Sequence, residues 1–229
     1  MENRCENCIV RTLNSFKALK KEELKHISDC KETKTIKKGE LIFGEDQAIN
    51  GLYCVKSGVS KLSKISDNGK SQIIKLINKG GVIGQRTLVS DNYSNLSAEA
   101  LSDMQVCFIP KSALDHPLKT NLEYNKELMH YFADSLKESD NEMVNMAQKS
   151  IIERLAHILL HLETVFGLDE DGFINVILTR EDYADLIGTV KESCIRNFSK
   201  LKDKSLIEVQ GKKVKIINKP CLRQLEQGF

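Results

Sequence analysis

Long apolar runs are missing from this chain of 229 residues. None approaches the ~20 residues that cross a bilayer, so no membrane span or membrane partner is expected. The opening stretch, MENRCENCIVRTLN, is charged and holds no apolar core of signal-peptide length, and the expected location is the cytoplasm. Histidine is absent between His26 and His116, which removes the several-histidine metal site of a cupin-like barrel. His157 and His161 stand one turn apart, but HILLH lacks the glutamate of a metalloprotease motif, so they read as a packed or solvated pair. No Ser–His–Asp, paired-carboxylate or phosphate-loop constellation appears, and no enzyme is expected. The seven cysteines are odd in number, and without an export signal a disulfide scaffold is not expected. Net charge is only +2, so the chain is no global polycation. Internal repeats and low-complexity segments are absent too.

What is present divides by pattern. Residues 31–110 carry short apolar runs (Leu41–Phe43, Leu52–Val55, Ser60–Ile65, Gln72–Ile77, Val82–Ile83, Val106–Ile109) punctuated by glycines. Asn68-Gly69 between two alternating runs is a hairpin signal. Many short strands with glycine turns point to a jelly-roll barrel, preceded by a short helix over Lys20–Ser28. From Leu118 to Ala147 neither Gly nor Pro occurs, which predicts one long helix. Met129, Phe132, Leu136, Ser139, Met143 and Met146 step by 3, 4, 3, 4 and 3, a heptad seam suited to a matching helix from a second chain. Ser150–Phe166 reads as a separate amphipathic helix closed by Gly167. Asp169–Gly172 is then a surface turn leading into a strand over Phe173–Leu178. The fold class is α+β. The expected domains are a jelly-roll sensor over residues 1–116, a dimerisation helix over 117–149 and a winged helix-turn-helix over 150–229.

The most informative stretch is TREDYADLIGTVKESCIRNFSKL, Thr179–Leu201, followed by LIEVQGKKVKII. It reads as a helix, a turn at Gly188, a second helix and a two-stranded wing. At about 100° per residue, Val190, Cys194, Phe198 and Leu201 share one side of the second helix, and Glu192, Arg196 and Ser199 the other. In a major groove, Glu accepts from cytosine N4 and Arg forks onto guanine O6 and N7. A Glu–Arg pair four residues apart is also common on a solvated helix, and the hairpin after it turns the reading to DNA. Charge is segregated accordingly. Residues 163–187 hold seven acids against Arg180, whereas residues 188–229 hold ten Lys or Arg against four acids. Such a basic edge is the footprint of phosphate contact. The expected DNA-contacting set is Thr179, Arg180, Lys191, Glu192, Ser193, Arg196, Lys212 and Lys213, with Lys215 also at the wing.

Jelly roll, long helix and winged helix-turn-helix, in that order, resemble the Crp/Fnr family of bacterial transcription regulators. The resemblance runs from about Cys5 to Leu225 and is carried by IKKGELIF, GLYCVKSGVSKL, MQVCFIP, IIERLAHIL and TREDYADLIG…KESCIR. It implies a sequence-specific homodimer on a palindromic site whose half-sites contain a GA step, with RNA polymerase as a partner. It matches Glu192 and Arg196 to the family's base readers, Lys191 to a phosphate or base contact, and Ile195 to the groove-facing residue between them. Val190 stands where the family has a Ser or Thr cap, and Thr189 is expected to cap one residue earlier. In cyclic-nucleotide members a Glu takes the ribose and an Arg-Ser pair the phosphate. Here VIGQRTLVSDNYSNLSAEAL puts Gln85 and Leu96-Ser97 at those places, with Arg86 beside Gln85 rather than at the phosphate position. A buried phosphate without its guanidinium is costly, so cyclic AMP is not expected to bind.

Oxygen-sensing members hold an iron–sulfur cluster on three N-terminal cysteines and one in the barrel. The resemblance matches Cys5, Cys8 and Cys107 to three of these, and the remaining position falls on Asn14. Cys30 is another possible ligand. Cys54 reads as buried in a strand, Cys194 as packed under the second helix of the motif, and Cys221 as a tail residue. Three outcomes stand open for Cys5, Cys8 and Cys107: an iron–sulfur cluster with an unusual fourth ligand, a thiol switch, or inert remnants. The alternative to a DNA regulator is a ligand- or redox-sensing module acting through protein partners, which would not need the basic wing.

Overall fold

The computed structural model describes residues 4–228. Three short 3-10 turns (Cys5–Asn7, Ile9–Leu13, Ser15–Ala18) lead to α1 (Lys21–Cys30). Eight strands follow: β1 (Glu32–Ile36), β2 (Leu41–Phe43), β3 (Gly51–Ser57), β4 (Ser60–Ile65), β5 (Ser71–Ile77), β6 (Val82–Ile83), β7 (Ser97–Ala100) and β8 (Met104–Pro110). They form two four-stranded sheets, ordered β1-β8-β3-β6 and β2-β7-β4-β5. Ser66 N donates to Lys70 O at 2.9 Å and Gly69 takes φ +78°, closing the Asn68-Gly69 turn between β4 and β5.

Strands β3 and β8 are buried on both faces, which explains their unbroken apolar runs. One face (Val55, Met104, Val106) joins Ile83, Ala98 and Ala100 in the interior of the sandwich. The opposite face (Leu52, Cys54, Cys107, Ile109) is covered by Cys5, Phe16, Leu24, Ile27, Leu114, Tyr124 and Leu128. The N-terminal turns thus form a lid on the outside of one sheet. Side chains pin it: Cys5 N donates to Ser28 Oγ at 2.6 Å, and Asn14 Nδ2 donates to Gly80 O at 2.9 Å.

After the barrel come α2 (Asp115–Thr120), α3 (Leu122–Gln148) and α4 (Ile151–Phe166). The single helix expected from Leu118 is broken at Asn121. Its Nδ2 donates to Glu23 Oε2 at 2.7 Å while its Oδ1 accepts from Tyr124 N at 3.0 Å. A buried amide so committed holds the backbone extended, with φ −100° and ψ 96°. The chain continues with α5 (Arg180–Leu186), α6 (Lys191–Asp203), β9 (Ile207–Gln210), β10 (Lys213–Ile216) and α7 (Lys219–Glu226). The strand expected over Phe173–Leu178 does not form. Ile174 makes an isolated bridge with Leu168, and its N–H donates to Val214 O at 2.9 Å. Helix α7, where only a tail was expected, starts at Asn218, whose Oδ1 accepts from Cys221 N at 3.1 Å. The described residues divide into two compact units, 4–64 with 74–137, and 65–73 with 138–228. Among the described residues no helix is long and apolar enough to cross a membrane.

Candidate nucleic-acid interface

Helix α5 begins at Thr179, whose Oγ accepts from Asp182 N at 3.1 Å while Asp182 Oδ2 accepts from Thr179 N at 2.8 Å. This reciprocal cap satisfies two otherwise free N–H groups. The turn after α5 passes through Gly188 at φ +61°, a left-handed conformation that costs a side-chain-bearing residue about 1–2 kcal/mol. Helix α6 starts without a side-chain cap at Val190. Thr189 does not supply one; its N–H donates back to Ala184 O at 3.0 Å. Val190 itself is exposed rather than packed with Cys194, because it precedes the helix and does not follow its periodicity.

Cys194, Phe198 and Leu201 pack inward as the spacing predicts, and so do Ser193 and Asn197. Tyr183 meets Phe198 edge to face at 5.0 Å. The Arg180 guanidinium lies 3.9 Å from the centre of the Phe198 ring, so Arg180 is stacked against α6. Burial pushes the Cys194 thiol up to about 11, and it stays protonated. The outward face carries Lys191, Glu192, Ile195, Arg196, Ser199 and Lys200. Lys191 Nζ reaches Glu181 Oε2 at 3.0 Å, whereas Glu192 and Arg196 form no ion pair with each other among the described residues. Ser193 is buried and its carbonyl accepts from Asn197 Nδ2 at 2.8 Å, which sets it apart from that face.

The wing pairs Ile207 with Ile216 through to Gln210 with Lys213. Lys212 projects from its tip, exposed. Lys213 Nζ instead binds Asp169 Oδ2 at 2.8 Å, and Lys215 Nζ donates to Asp171 O at 2.8 Å. The acidic turn is therefore the anchor of the wing, and the lysines that alternate along β10 hold it.

On α3, Met129, Leu136 and Met143 are 71%, 63% and 66% exposed, and Ser139 is exposed beside them. Leu122, the first residue of α3, extends this line by seven residues at 67% exposure. Phe132 turns partly onto the core of its own chain, and Met146 Sδ accepts from Arg154 Nη1 at 3.2 Å.

Cys5, Cys54 and Cys107 are buried, Cys8 and Cys30 half-buried, and all described cysteines are free thiols. Among the described residues no three His, Cys, Asp or Glu side chains come together to hold a metal ion. His157 and His161 stack with ring centres 6.3 Å apart, and His157 is held by Glu226 and Glu142 at 2.6 and 3.0 Å. At the former cassette positions, Gln85 and Leu96 are both buried, and Gln85 Nε2 donates to Ser15 Oγ at 3.3 Å.

The cyclic nucleotide-binding domain family matches residues 33–121, and the Crp-like helix-turn-helix domain family matches residues 153–225. Electron transport regulator A of Shewanella oneidensis is 30% identical over 220 residues, 93% of this chain and 86% of that protein. The fumarate and nitrate reduction regulatory protein of Vibrio cholerae is 26% identical, over 96% of this chain and 89% of its own length. FixK2 from Bradyrhizobium japonicum superposes with a TM-score of 0.77 at 25% identity, covering 86% of this chain and 97% of that one. With its barrel, long helix and winged motif in the same order as theirs, this chain belongs to the Crp/Fnr family of transcription regulators.

Proposed function

We propose that this regulator binds a palindromic DNA site as a homodimer, each α6 entering a major-groove half-site. The outward face of α6 carries this reading: a carboxylate and a guanidinium one turn apart, exposed, and unspent on one another. Glu192 and Arg196 read base edges, Lys191 and Lys212 meet phosphates, and Ile195 lies between the readers. Thr179, Arg180, Ser193 and Lys213 serve the interface from behind by fixing α5, α6 and the wing. Met129, Leu136, Ser139 and Met143, with the edges of Phe132 and Met146, form the seam between two chains, and RNA polymerase is the downstream partner. Residues 117–149 join a sensory unit (1–116) to the DNA-binding unit (150–229).

The sensory barrel acts without cyclic AMP. Gln85 and Leu96 fill the cassette as core residues, with no guanidinium at the phosphate position. The thiols Cys5, Cys8 and Cys107 are of the kind that hold soft metals, iron–sulfur clusters among them. Relatives named for electron transport and for fumarate and nitrate reduction fit such a redox signal. When bound, the cluster would supply one-electron and oxygen chemistry; these cysteines would hold it beneath the N-terminal lid. Fluorescence anisotropy on a labelled palindrome with GA-containing half-sites, against a scrambled duplex, tests the DNA reading. Salt-dependent binding with preference for the palindrome is expected; equal affinity for both duplexes overturns it.

A further inference from the structure

The chain bends between α3 and α4 at Lys149 and Ser150, where Ser150 is extended at φ −64° and ψ 163°. Met143 of the seam precedes this bend, and α4 beyond it packs against α6, the helix of the reading face. The angle at the bend therefore sets where α6 stands relative to the last turns of α3. Two side chains of α4 reach back across it. Arg154 Nη1 donates to Met146 O at 3.4 Å and to Met146 Sδ at 3.2 Å. His157, seven residues beyond Ser150, meets Glu142, seven residues before Lys149. Its Nε2 lies 3.0 Å from Glu142 Oε1, and its Nδ1 lies 2.6 Å from Glu226 Oε1 on α7. Asn145 Nδ2 stands 3.4 Å from both Glu142 Oε1 and His157 Nε2. The other ionisable groups beside the ring are Lys149, 3.5 Å from Glu226, and His161, stacked 6.3 Å away.

Both ring nitrogens of His157 thus face carboxylate oxygens. An ionised carboxylate only accepts, and a neutral imidazole carries a single N–H. Only the imidazolium donates to both at once, in two charge-assisted bonds. Losing the ring proton sets a lone pair against a carboxylate and breaks one of the two ties. The hydrogen bond to Glu142 raises the His157 pKa against the pull of burial, and the same bond lowers that of Glu142. Arg154, by contrast, keeps its charge at every pH that matters here.

We propose that His157 is a positioning residue for DNA binding, a proton-operated brace that fixes α4, and α6 behind it, against the end of α3. This rests on the DNA reading above. With the ring charged, α4 is tied to α3 on one side and to α7 on the other. With the ring neutral, the bend samples more angles and fewer molecules hold α6 where the half-site needs it. Apparent affinity falls in proportion to that fraction. DNA binding is therefore strongest on the acid side of neutrality and weakens several-fold as pH rises.

Fluorescence anisotropy of the full-length protein on the labelled palindrome and on the scrambled duplex is followed from mildly acid to mildly alkaline pH at fixed salt. His157→Gln, Glu142→Gln and His161→Gln are measured alongside, with circular dichroism for folding and sedimentation velocity for the dimer. Glutamine at 157 keeps one donor and does not titrate. Glu142, whose side chain is 44% exposed, covers the case in which the His157 variant unfolds. The expected result is that wild type and His161→Gln lose affinity several-fold as pH passes above about 6.5, whereas His157→Gln and Glu142→Gln lose the pH dependence. Wild-type protein that prefers the palindrome at no pH overturns the DNA reading and the inference with it. A palindrome preference unchanged by pH overturns the inference alone, and so does a folded, dimeric His157→Gln or Glu142→Gln with the wild-type pH profile.

Discussion

Arg196 and Lys212 both carry positive charge toward DNA, yet their substitutions should read differently. Arg196→Ala removes a forked donor to guanine and should cost ~1–3 kcal/mol on the specific site while relaxing sequence preference. Lys212→Ala removes a phosphate contact and should weaken all duplexes about equally, with a flatter dependence on salt. Titrations of each variant on specific and random duplexes at several salt concentrations separate the two. Equal loss on both duplexes in Arg196→Ala would mean that another residue reads the bases. Most of this face could be found from one-dimensional spacing, because α6 is regular and its inward positions recur every three or four residues. Ser193 could not be placed that way: it lies beside Cys194 at the border of the buried stripe, and its burial depends on how α5 packs. Nor could the tie between Lys213 and Asp169, whose partners are 44 residues apart.

Helix α3 presents Leu122, Met129, Leu136 and Met143 to solvent in a line of sevens, apolar surface that a facing copy would cover. Leu136→Glu sets like charges against each other across that seam. Sedimentation velocity should then report monomers, with DNA affinity falling as well. A variant that stays dimeric and binds normally would place the interface on another surface. The period of this helix was readable because a long exposed helix has few other constraints. Its beginning was not, since the break at Asn121 answers to Glu23, far away in sequence. Strands β1 and β7 were also missed. ETKTI is a polar edge strand, and SAEA has low strand propensity, yet Ala98 and Ala100 are fully buried in the core between the sheets.

Across the whole C-terminal unit, His157 ties α4 to Glu142 on α3 and to Glu226 on α7, with Lys149 near Glu226 at 3.5 Å. The hydrogen bond to Glu142 raises the His157 pKa, burial opposes it, and Glu226 adds to the rise. A raised folded value means that the stabilisation is complete below the unfolded value near 6.5 and drains away as pH climbs through the folded one. Thermal melts should therefore lose stability as pH rises above about 6.5, and His157→Gln should flatten that loss. Identical pH profiles for both proteins would remove His157 as the cause. In the barrel, calorimetry with cyclic AMP should show no heat of binding and anisotropy no gain in DNA affinity; micromolar binding would contradict the reading of Gln85 and Leu96.

Local order was written in the chain. Periods of two and of three to four, glycine turns and segregated charge specify a barrel, a long helix and a winged motif, since each depends on neighbours a few residues apart. Tertiary structure alone decided which distant groups meet. Cys54 looked like one more strand residue until the register of β3 against β8 set it opposite Cys107 and the N-terminal turns brought Cys5 over them. Asn14 looked like a vacant ligand position until its amide and its oxygen were taken by Gly80 and Phe16. Strand register and lid closure arise from summed burial over many residues, and no short window of sequence contains that sum.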